Sequence, residues 1–400
     1  MRILHINGQL SGGGVEQYLS QLLKELTSRG IYSCFVYGEK NCKSISLEDV
    51  RTYYIPGITR SKLPRQKDKL RELRKIIDDE NVDLVYIHQL ANPSVVKLIT
   101  ESKPSVKFVH DLKLICPDGS KTLKSIGRFC SYPLGYRCQV RSYLCKCMPR
   151  NLFLGLPLIS HAKKISYFHR KQGFLVVASE FMKSVLVYNG FHADRVQVIP
   201  YFTYLPDSPT KALVDGDPIV LTLGRIVRDK GMHVLLAALP ALKKAVRLFV
   251  VGDGPALPDL KSTAKKLEIS SRVSFLGWLS HDKLDRLYRQ CSLVVVPSVW
   301  PEPFGIVGIE GMAYQKPVVA YDVGGISEWL IDGVTGFLVR PSDERKLAER
   351  INLLLERPDM AEKMGKSGRE VVNKRFGPET HLQALISLFE RAVTNFTPKQ

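Results

Sequence analysis

Short apolar runs of strand length alternate with amphipathic stretches of helix length along almost the whole chain, and this pattern constrains the fold more than any other feature. In the first half the runs are "RILHI", "YSCFVYG", "DLVYIH", "VKFVHD", "FLVVAS" and "VQVIP", with helices predicted over 14–29, 66–80, 92–101, 157–171 and 180–189 and an irregular insertion after "VKFVHD". The series restarts with "IVLTLGR", "VRLFVVGD", "VSFLGW", "LVVVPS", "PVVAYD" and "TGFLV", with helices predicted over 230–244, 256–268, 282–290, 304–314 and 324–331 and more to the end. Strands alternating with helices mean parallel βαβ units. Near-continuously apolar strands mean a sheet covered on both faces. Two such series in 400 residues, joined by the turn-rich "YLPDSPTKALVDGDP", predict an α/β chain of two doubly wound domains facing each other across a cleft.

The composition, 44% hydrophobic and 24% charged, is that of a globular protein. Apolar stretches such as "NLFLGLPLI" are far shorter than the ~20 residues a membrane span needs. The start, "MRILHINGQL", runs straight into a strand pattern without an apolar leader segment, so a cytoplasmic location is expected. The net charge of +19 is uneven: residues 1–200 hold 31 Lys/Arg against 16 Asp/Glu, residues 201–400 hold 27 against 23. From Gly119 to Ser179 there are 11 basic residues and no acid, with Phe129, Tyr132, Tyr136, Tyr143, Phe153, Tyr167 and Phe168 among them. Such a field attracts anions: nucleic acid, an anionic bilayer or a phosphorylated substrate.

Ligands of doubly wound sheets bind beyond the carboxyl ends of strands. The glycines and charges gather there. "NGQLSGGGVEQYLSQLL" follows the first strand, "GRIVRDKG" opens the second series, and "VGDGP" and "DVGGISE" come later. A glycine turn before a helix presents free N–H groups at the positive end of the helix dipole, which is an anion site. One such loop is weak; several at strand ends, with Arg225 and Lys230, predict a phosphate-bearing ligand. "VPSVWPEPFGIVGIEGMA" places Glu302 just before a helix expected to begin near Phe304 and Glu310 roughly six residues into it. A carboxylate there can accept two hydrogen bonds from ribose hydroxyls. Glu302 would address the group beyond a diphosphate, and the pair together describes a nucleotide-sugar. Taken singly, each acid is equally an ordinary helix-terminus or surface residue.

"PEPFGIVGIEGMA" resembles the Glu-x7-Glu motif of retaining glycosyltransferases of the GT-B fold, family 4 in particular. "GGGVEQYLSQL", "FVHD", "GRIVRDKG", "VVGDGP", "FLGWLS" and "PVVAYDVGGISEWLIDGVTGFLV" resemble the family's blocks in the family's order, over nearly the whole chain. The resemblance implies two Rossmann-like domains, residues 1–200 for the acceptor and 217–378 for the donor. A basic, Cys-rich insertion lies at about 112–155, and a helix over 379–400 crosses back to the first domain. It assigns Arg225 and Lys230 to the donor diphosphate and Glu302 to the sugar hydroxyls. The backbone of Phe304, Gly305 and Ile306 takes the distal phosphate and sugar, Glu310 the ribose, and the segment around Gly277 and Trp278 the base. Gly224 and Gly252 line the donor loops, Gly13 and Gly14 close over the phosphate, and His110 faces the sugar. The donor is a UDP-, GDP- or ADP-sugar, no metal or other cofactor is required, and the acceptor is a glycan or lipid-linked saccharide. The setting implied is polysaccharide or glycolipid synthesis on the inner face of the cytoplasmic membrane, against anionic lipid and without nucleic acid.

Two departures stand out. Glu310-Gly311-Met312-Ala313 has a glycine where the family often has alanine, which predicts close packing or close ligand approach, and the linker reads "VIPYFTY" in place of Pro-Asn-Gly. Cys116, Cys130, Cys138, Cys145 and Cys147 crowd the insertion. A cytosolic setting argues against disulfides, and the absence of a paired Cys-x-x-Cys weighs against a structural zinc without excluding it. Asp111 is expected to point away from His110 if that segment stays extended. With no carboxylate left for a nucleophile or base, a front-face retaining reaction is expected. An epimerase or phosphorylase of the same fold, or a basic nucleic-acid-binding protein, are the alternatives.

Overall fold

The computed structural model describes residues 1–9, 13–39, 50–61, 65–125, 127–171, 173–207, 217–243 and 245–397. By their contacts they fall into two compact units, Met1–Pro200 with His381–Gln400, and Tyr201–Thr380.

The first unit runs β1 (Arg2–Asn7), α1 (Gly14–Ser28), β2 (Tyr32–Tyr37), β3 (Arg51–Tyr54), α2 (Gln66–Asp79), β4 (Leu84–Ile87), α3 (Pro93–Ser102) and β5 (Ser105–Phe108). It continues with β6 (Thr122–Leu123), β7 (Arg128–Phe129), α4 (Arg137–Cys145), α5 (Leu152–Lys171), β8 (Phe174–Val177), α6 (Glu180–Tyr188) and β9 (Val196–Val198). Seven strands form one parallel sheet in the order β3-β2-β1-β4-β5-β8-β9. β4, β5 and β8 are buried along their whole length, as the apolar runs require. α1 turns Tyr18, Leu19, Leu22, Leu23 and Leu26 inward, a 3.6-residue stripe. α3 is started by Asn92, whose side chain accepts from the Ser94 and Val95 N–H groups, and by Pro93 in the first turn.

The second unit runs β10 (Ile219–Leu223), α7 (Met232–Ala238), β11 (Arg247–Val251), α8 (Leu257–Lys266), β12 (Val273–Gly277), α9 (His281–Gln290) and β13 (Leu293–Val296). Then come α10 (Ile306–Ala313), β14 (Val318–Tyr321), β15 (Gly336–Val339), α11 (Glu344–Glu356) and α12 (Pro358–Arg375). Its sheet is also parallel, in the order β12-β11-β10-β13-β14-β15. The last helix, α13 (Pro378–Thr394), belongs from His381 onward to the first unit. There the His381 ring bridges the Tyr18 hydroxyl at 2.9 Å and the Pro200 carbonyl at 2.6 Å, and Phe389 meets Tyr86 edge-on at 4.9 Å.

Several elements differ from the sequence expectation. β3, with its exposed first half, carries no apolar run and was not foreseen. Glu80 holds it: the buried carboxylate accepts from Tyr32 on β2 at 2.6 Å and from Arg51 at 3.0 Å and Tyr53 on β3. Burial pushes the Glu80 pKa up, but those hydrogen bonds and the Arg51 charge outweigh it and bring it down to about 2. α5 begins at Leu152, a turn and a half before the expected 157, and carries Pro157 inside it. The insertion contains α4 and the two-residue antiparallel pair β6–β7. The helix expected over 230–244 ends at Ala238, followed by a 3-10 turn containing Pro240, and the one over 324–331 is a single 3-10 turn, Ile326–Glu328.

Each sheet reverses its order beside its first strand, between β1 and β4 and between β10 and β13. Loops leaving such a pair of strands diverge to opposite faces and leave a crevice at the carboxyl edge.

Candidate functional site

In the second unit the crevice lies between the loops that follow β10 and β13. Gly231, at φ +68°, lets the first loop reach the second: a Cβ there would lie 1.7 Å from the Pro297 carbonyl oxygen. The Val299 N–H also donates to the Asp229 carbonyl at 2.9 Å. This clamp sets Lys230 against Glu302. The Lys230 Nζ donates to both carboxylate oxygens at 2.9 and 2.7 Å, and the Ser298 hydroxyl and Trp300 indole N–H each donate to Oε2 at 2.9 Å. Glu302 is only 6% exposed. Burial alone would raise its pKa; the Lys230 charge and these hydrogen bonds overcome it and hold the carboxyl below its ordinary value. From behind, the Gly325 N–H donates to the Glu302 carbonyl at 2.8 Å. Ser298 and Trp300 were not singled out in the sequence, although both stand in the motif.

α10 begins at Ile306, two residues after the expected Phe304, because Gly305 at φ +89° is its N-cap. Glu310 is therefore the fifth helical residue. It is partly exposed and accepts from the Tyr288 hydroxyl of α9 at 2.7 Å. Burial raises its pKa to about 7 against the opposing effect of that bond. Tyr288 stacks on Tyr314 with ring centroids 5.0 Å apart, and nothing in the sequence pointed to it. Phe304 is buried between Tyr201 and Phe376, and its carbonyl accepts from the Trp329 indole at 2.6 Å. Gly311 answers its question by close packing: a Cβ there would lie 2.8 Å from Val294 Cγ2 on β13.

Gly224, Gly252 and Gly277 end three neighbouring strands and stand side by side. The Gly252 N–H donates to the Gly277 carbonyl at 2.8 Å, and a Cβ on Gly252, at φ +128°, would lie 1.9 Å from the Gly224 carbonyl oxygen. Arg225, next to them, is exposed and has no ion-pair partner among the described residues. Trp278 is 59% exposed at the end of β12. Arg225, Lys230, Glu302, Gly305 and Ile306 thus share one carboxyl edge, with two cations and an uncapped helix N-terminus, where an anion is favoured.

In the first unit Gly13 and Gly14 open α1. The Gly13 N–H donates to the Glu16 carboxylate at 2.8 Å, and that buried carboxylate is within 3.3 Å of Asn7 Nδ2. The remainder of the "QLSGGG" turn, residues 10–12, lies outside the described residues. β5 ends at Phe108, so His110 sits in the loop beyond the strand, stacked on Phe108 at 4.4 Å and with Nε2 3.2 Å from His88 Nδ1. Burial, and then the charge of Lys107, drive its pKa well below the ordinary histidine value, so the ring is neutral at pH 7. His110 lines a cavity of about 500 Å³ together with Gly8, His88, Lys107, Asp111 and His161. Asp111 keeps an extended backbone, φ −145° and ψ 178°, its side chain caps a 3-10 turn through the Lys113 N–H, and it lines this cavity along with His110. Lys107 is 8% exposed, donates to the His88 carbonyl at 3.0 Å and has its pKa lowered to about 8 by burial.

Cys116, Cys130, Cys138, Cys145 and Cys147 carry free thiols. Burial, and then the neighbouring Cys116, Cys130 and Cys145, push the Cys147 pKa up to about 11. Among the described residues no group of three or more His, Cys, Asp or Glu is placed to hold a metal ion, and no helix is long and apolar enough to cross a membrane.

Two family models match, "Glycosyltransferase Family 4" over residues 12–203 and "Glycosyl transferases group 1" over residues 206–371. The chain is 35% identical over 189 residues to alpha-D-kanosaminyltransferase of Streptomyces kanamyceticus, covering 44% of this chain and 49% of that one. The chain spans about half the length of the curated relatives it matches, 49% and 46% for the first two. Among solved structures, sucrose-phosphate synthase from Thermosynechococcus elongatus superimposes with a TM-score of 0.76 at 21% identity over 99% of this chain and 100% of that one. The Anabaena HepE protein in complex with UDP and glucose gives 0.75 at 20% identity over 98% and 100%. Two parallel sheets with reversed strand order, the first matched from residue 12 onward by one model and the second by the other, place the chain in the family 4, group 1 glycosyltransferases, with the GT-B fold.

Proposed function

We propose that the chain is a retaining glycosyltransferase that moves a sugar from a nucleoside-diphosphate sugar to a glycan or lipid-linked acceptor. The product would be a cell-surface polysaccharide or glycolipid, made on the inner face of the cytoplasmic membrane. The observation that carries the reading is the Lys230–Glu302 pair at the β10/β13 switch point, beside an uncompensated Arg225 and the start of α10. A UDP-sugar is the first donor to test, because the HepE structure holds UDP and glucose on the same fold; GDP- and ADP-sugars follow. Arg225 and Lys230 neutralise the charge that the departing diphosphate gains. Glu302, held by Ser298 and Trp300 when the phosphate draws on Lys230, accepts from sugar hydroxyls. Glu310 accepts from the ribose.

In this reading Glu302 serves the sugar hydroxyls, Glu310 the ribose, and Asp111, although it lines the same cavity as His110, is engaged by the Lys113 N–H and ammonium, so none is assigned to act behind the anomeric carbon as a base or nucleophile. The acceptor oxygen therefore bonds to the anomeric carbon on the face from which the diphosphate leaves. The anomeric carbon–phosphate oxygen bond breaks with its electrons going to the phosphate, and that oxygen takes the acceptor's proton. His110, kept neutral, holds a donor hydroxyl. Proton NMR of the first product gives the anomeric configuration. The same anomer as the donor is expected, and the opposite one would overturn the retaining mechanism. Release of an epimer or free sugar without acceptor would replace transfer by the epimerase reading.

A further inference from the structure

α5 begins with two turns that are apolar on almost every side and bare. Leu152, Phe153, Leu154, Leu156 and Leu158 are 40–89% exposed, with Phe153 the extreme. A surface helix buries one apolar stripe and shows water a polar face; this segment has no polar face to show. The tip is firmly built. Asn151 caps it through the Phe153 N–H at 2.8 Å, and Gly155 fits so closely on α4 that a Cβ would lie 1.9 Å from Gln139 Oε1. α4 adds Tyr136, Val140, Tyr143 and Leu144, all more than half exposed. Twelve of the 21 large apolar side chains that are exposed among the described residues fall between Phe129 and Tyr167, so the patch is concentrated rather than scattered.

Its charge selects the partner. Between Gly119 and Ser179 no acid interrupts 11 basic residues, and Arg137, Lys146, Arg150, Lys163 and Lys164 are exposed around the apolar tip. Bare leucines and aromatics ringed by cations match a lipid interface with anionic headgroups, where the apolar side chains enter the acyl boundary and the cations meet phosphate. Farther along α5, His161, Ala162 and Ile165 wall the cavity that holds His110 and Lys107, and Leu158 belongs to both the patch and the cavity wall.

We infer that α4 and the first two turns of α5 form a monotopic docking surface for an anionic bilayer, seated by Phe153 and Leu154 and oriented by the surrounding arginines and lysines. It rests on the reading of a transferase that works at a membrane face and names the part of the chain that meets the lipid. Through Leu158 the docked surface opens on the cavity, so a lipid-linked acceptor reaches it without leaving the bilayer.

The test uses the full chain and phosphatidylcholine vesicles with and without phosphatidylglycerol. Wild type should sediment with the anionic vesicles and only weakly with the neutral ones. Phe153→Ser with Leu154→Ser should weaken partitioning about tenfold or more, since both side chains lose their burial in lipid, while the melting temperature and uridine diphosphate affinity stay put. In Phe153→Trp the indole emission should shift to the blue on adding anionic vesicles; the three native tryptophans, Trp278, Trp300 and Trp329, lie in the second unit and supply a constant background. Equal sedimentation of wild type and the double variant, or no blue shift, overturns the inference. So does concentration-dependent self-association of wild type that the double variant abolishes without any vesicle binding, which would make a second copy the partner. A chain that binds the diphosphate but not the vesicles loses only this surface; one that binds the vesicles but no nucleoside diphosphate loses the proposed function instead.

Discussion

The Lys230 ammonium spans both oxygens of Glu302 at 2.9 and 2.7 Å, although 71 residues separate the two in the chain. The pair fills the crevice where the second sheet reverses its order, and each member leaves its strand by a different loop. It gives the site a charge that is already balanced, so that under the proposed function a donor phosphate would meet Arg225 unshared and would have to compete for Lys230.

Removing one partner exposes that balance. In Lys230→Met the Glu302 carboxylate stays buried with only Ser298 and Trp300 for support, and the second unit should lose about 3 kcal/mol, the lower end for breaking a buried pair. Adding Glu302→Gln should restore most of the loss, because the uncompensated charge is gone. Urea unfolding of the wild type, single and double variants measures this. A Lys230→Met chain as stable as wild type would show the pair to be an ordinary solvated contact.

The two carboxylates of the motif should separate in binding. Glu310→Ala should weaken uridine diphosphate about tenfold, since the ribose is common to donor and product and a charged hydrogen bond is worth about 1.5–3 kcal/mol. Glu302→Ala should leave diphosphate affinity nearly unchanged and lower turnover. Titration calorimetry with equal affinities for wild type and Glu310→Ala would remove the ribose assignment.

Glu80 and Glu310 should mark stability at opposite ends of the pH scale. Glu80 has its folded pKa lowered from 4.5 to about 2, so its contribution is full above pH 4.5 and fades as pH falls toward 2. Glu310 has its folded pKa raised from 4.5 to about 7, so the folded chain holds the extra proton and stability declines as pH rises from 4.5 through 7. Glu310→Gln should abolish that decline, which is on the order of 1–2 kcal/mol after allowance for partial exposure. Unfolding free energies at pH 5 and pH 8 for wild type and variant read it directly, and parallel pH profiles would contradict the raised carboxyl.

Gly311→Ala should destabilise the second unit despite alanine's better helix propensity. The propensity gain is about 1 kcal/mol, but the new methyl would press on Val294, whose β-branched side chain cannot swing away, at a cost of about 1–3 kcal/mol. In a Val294→Ala background the same substitution should be neutral or stabilising. Additive effects in the four-member cycle would mean that Val294 is not the obstacle.

His110→Ala should lower kcat at least tenfold while donor affinity stays within a factor of two or so, since a group that serves the sugar in the transition state acts on turnover. A proportional loss of donor binding would make it a binding residue, and full activity would leave it a packed histidine against Phe108 and His88.

The sequence by itself determined the two parallel sheets. β4, β8 and β13 are apolar on every residue, which only a doubly covered parallel strand tolerates; Gly224, Gly252 and Gly277 mark strand ends because the backbone there takes positive φ, and at Gly252 it also passes too closely for a Cβ. It also brought Arg225, Lys230, Glu302 and Glu310 into view, since each stands in a short local pattern. Tertiary structure alone decided the rest. Tyr288 reaches Glu310 from another helix, and the pairing of Lys230 with Glu302 depends on Gly231 seating one loop against Pro297 of the other. β3 was illegible because its place is fixed by Glu80, a single acid whose three partners lie 27 to 48 residues away. The first two turns of α5 read in sequence as a loop before Pro157. The Asn151 cap and the packing of Gly155 on Gln139 hold them as a helix, and only the fold leaves them uncovered. Local patterns report the backbone's own needs; which side chains meet, and which apolar faces remain without a partner, follow from chain crossings that no window of sequence contains.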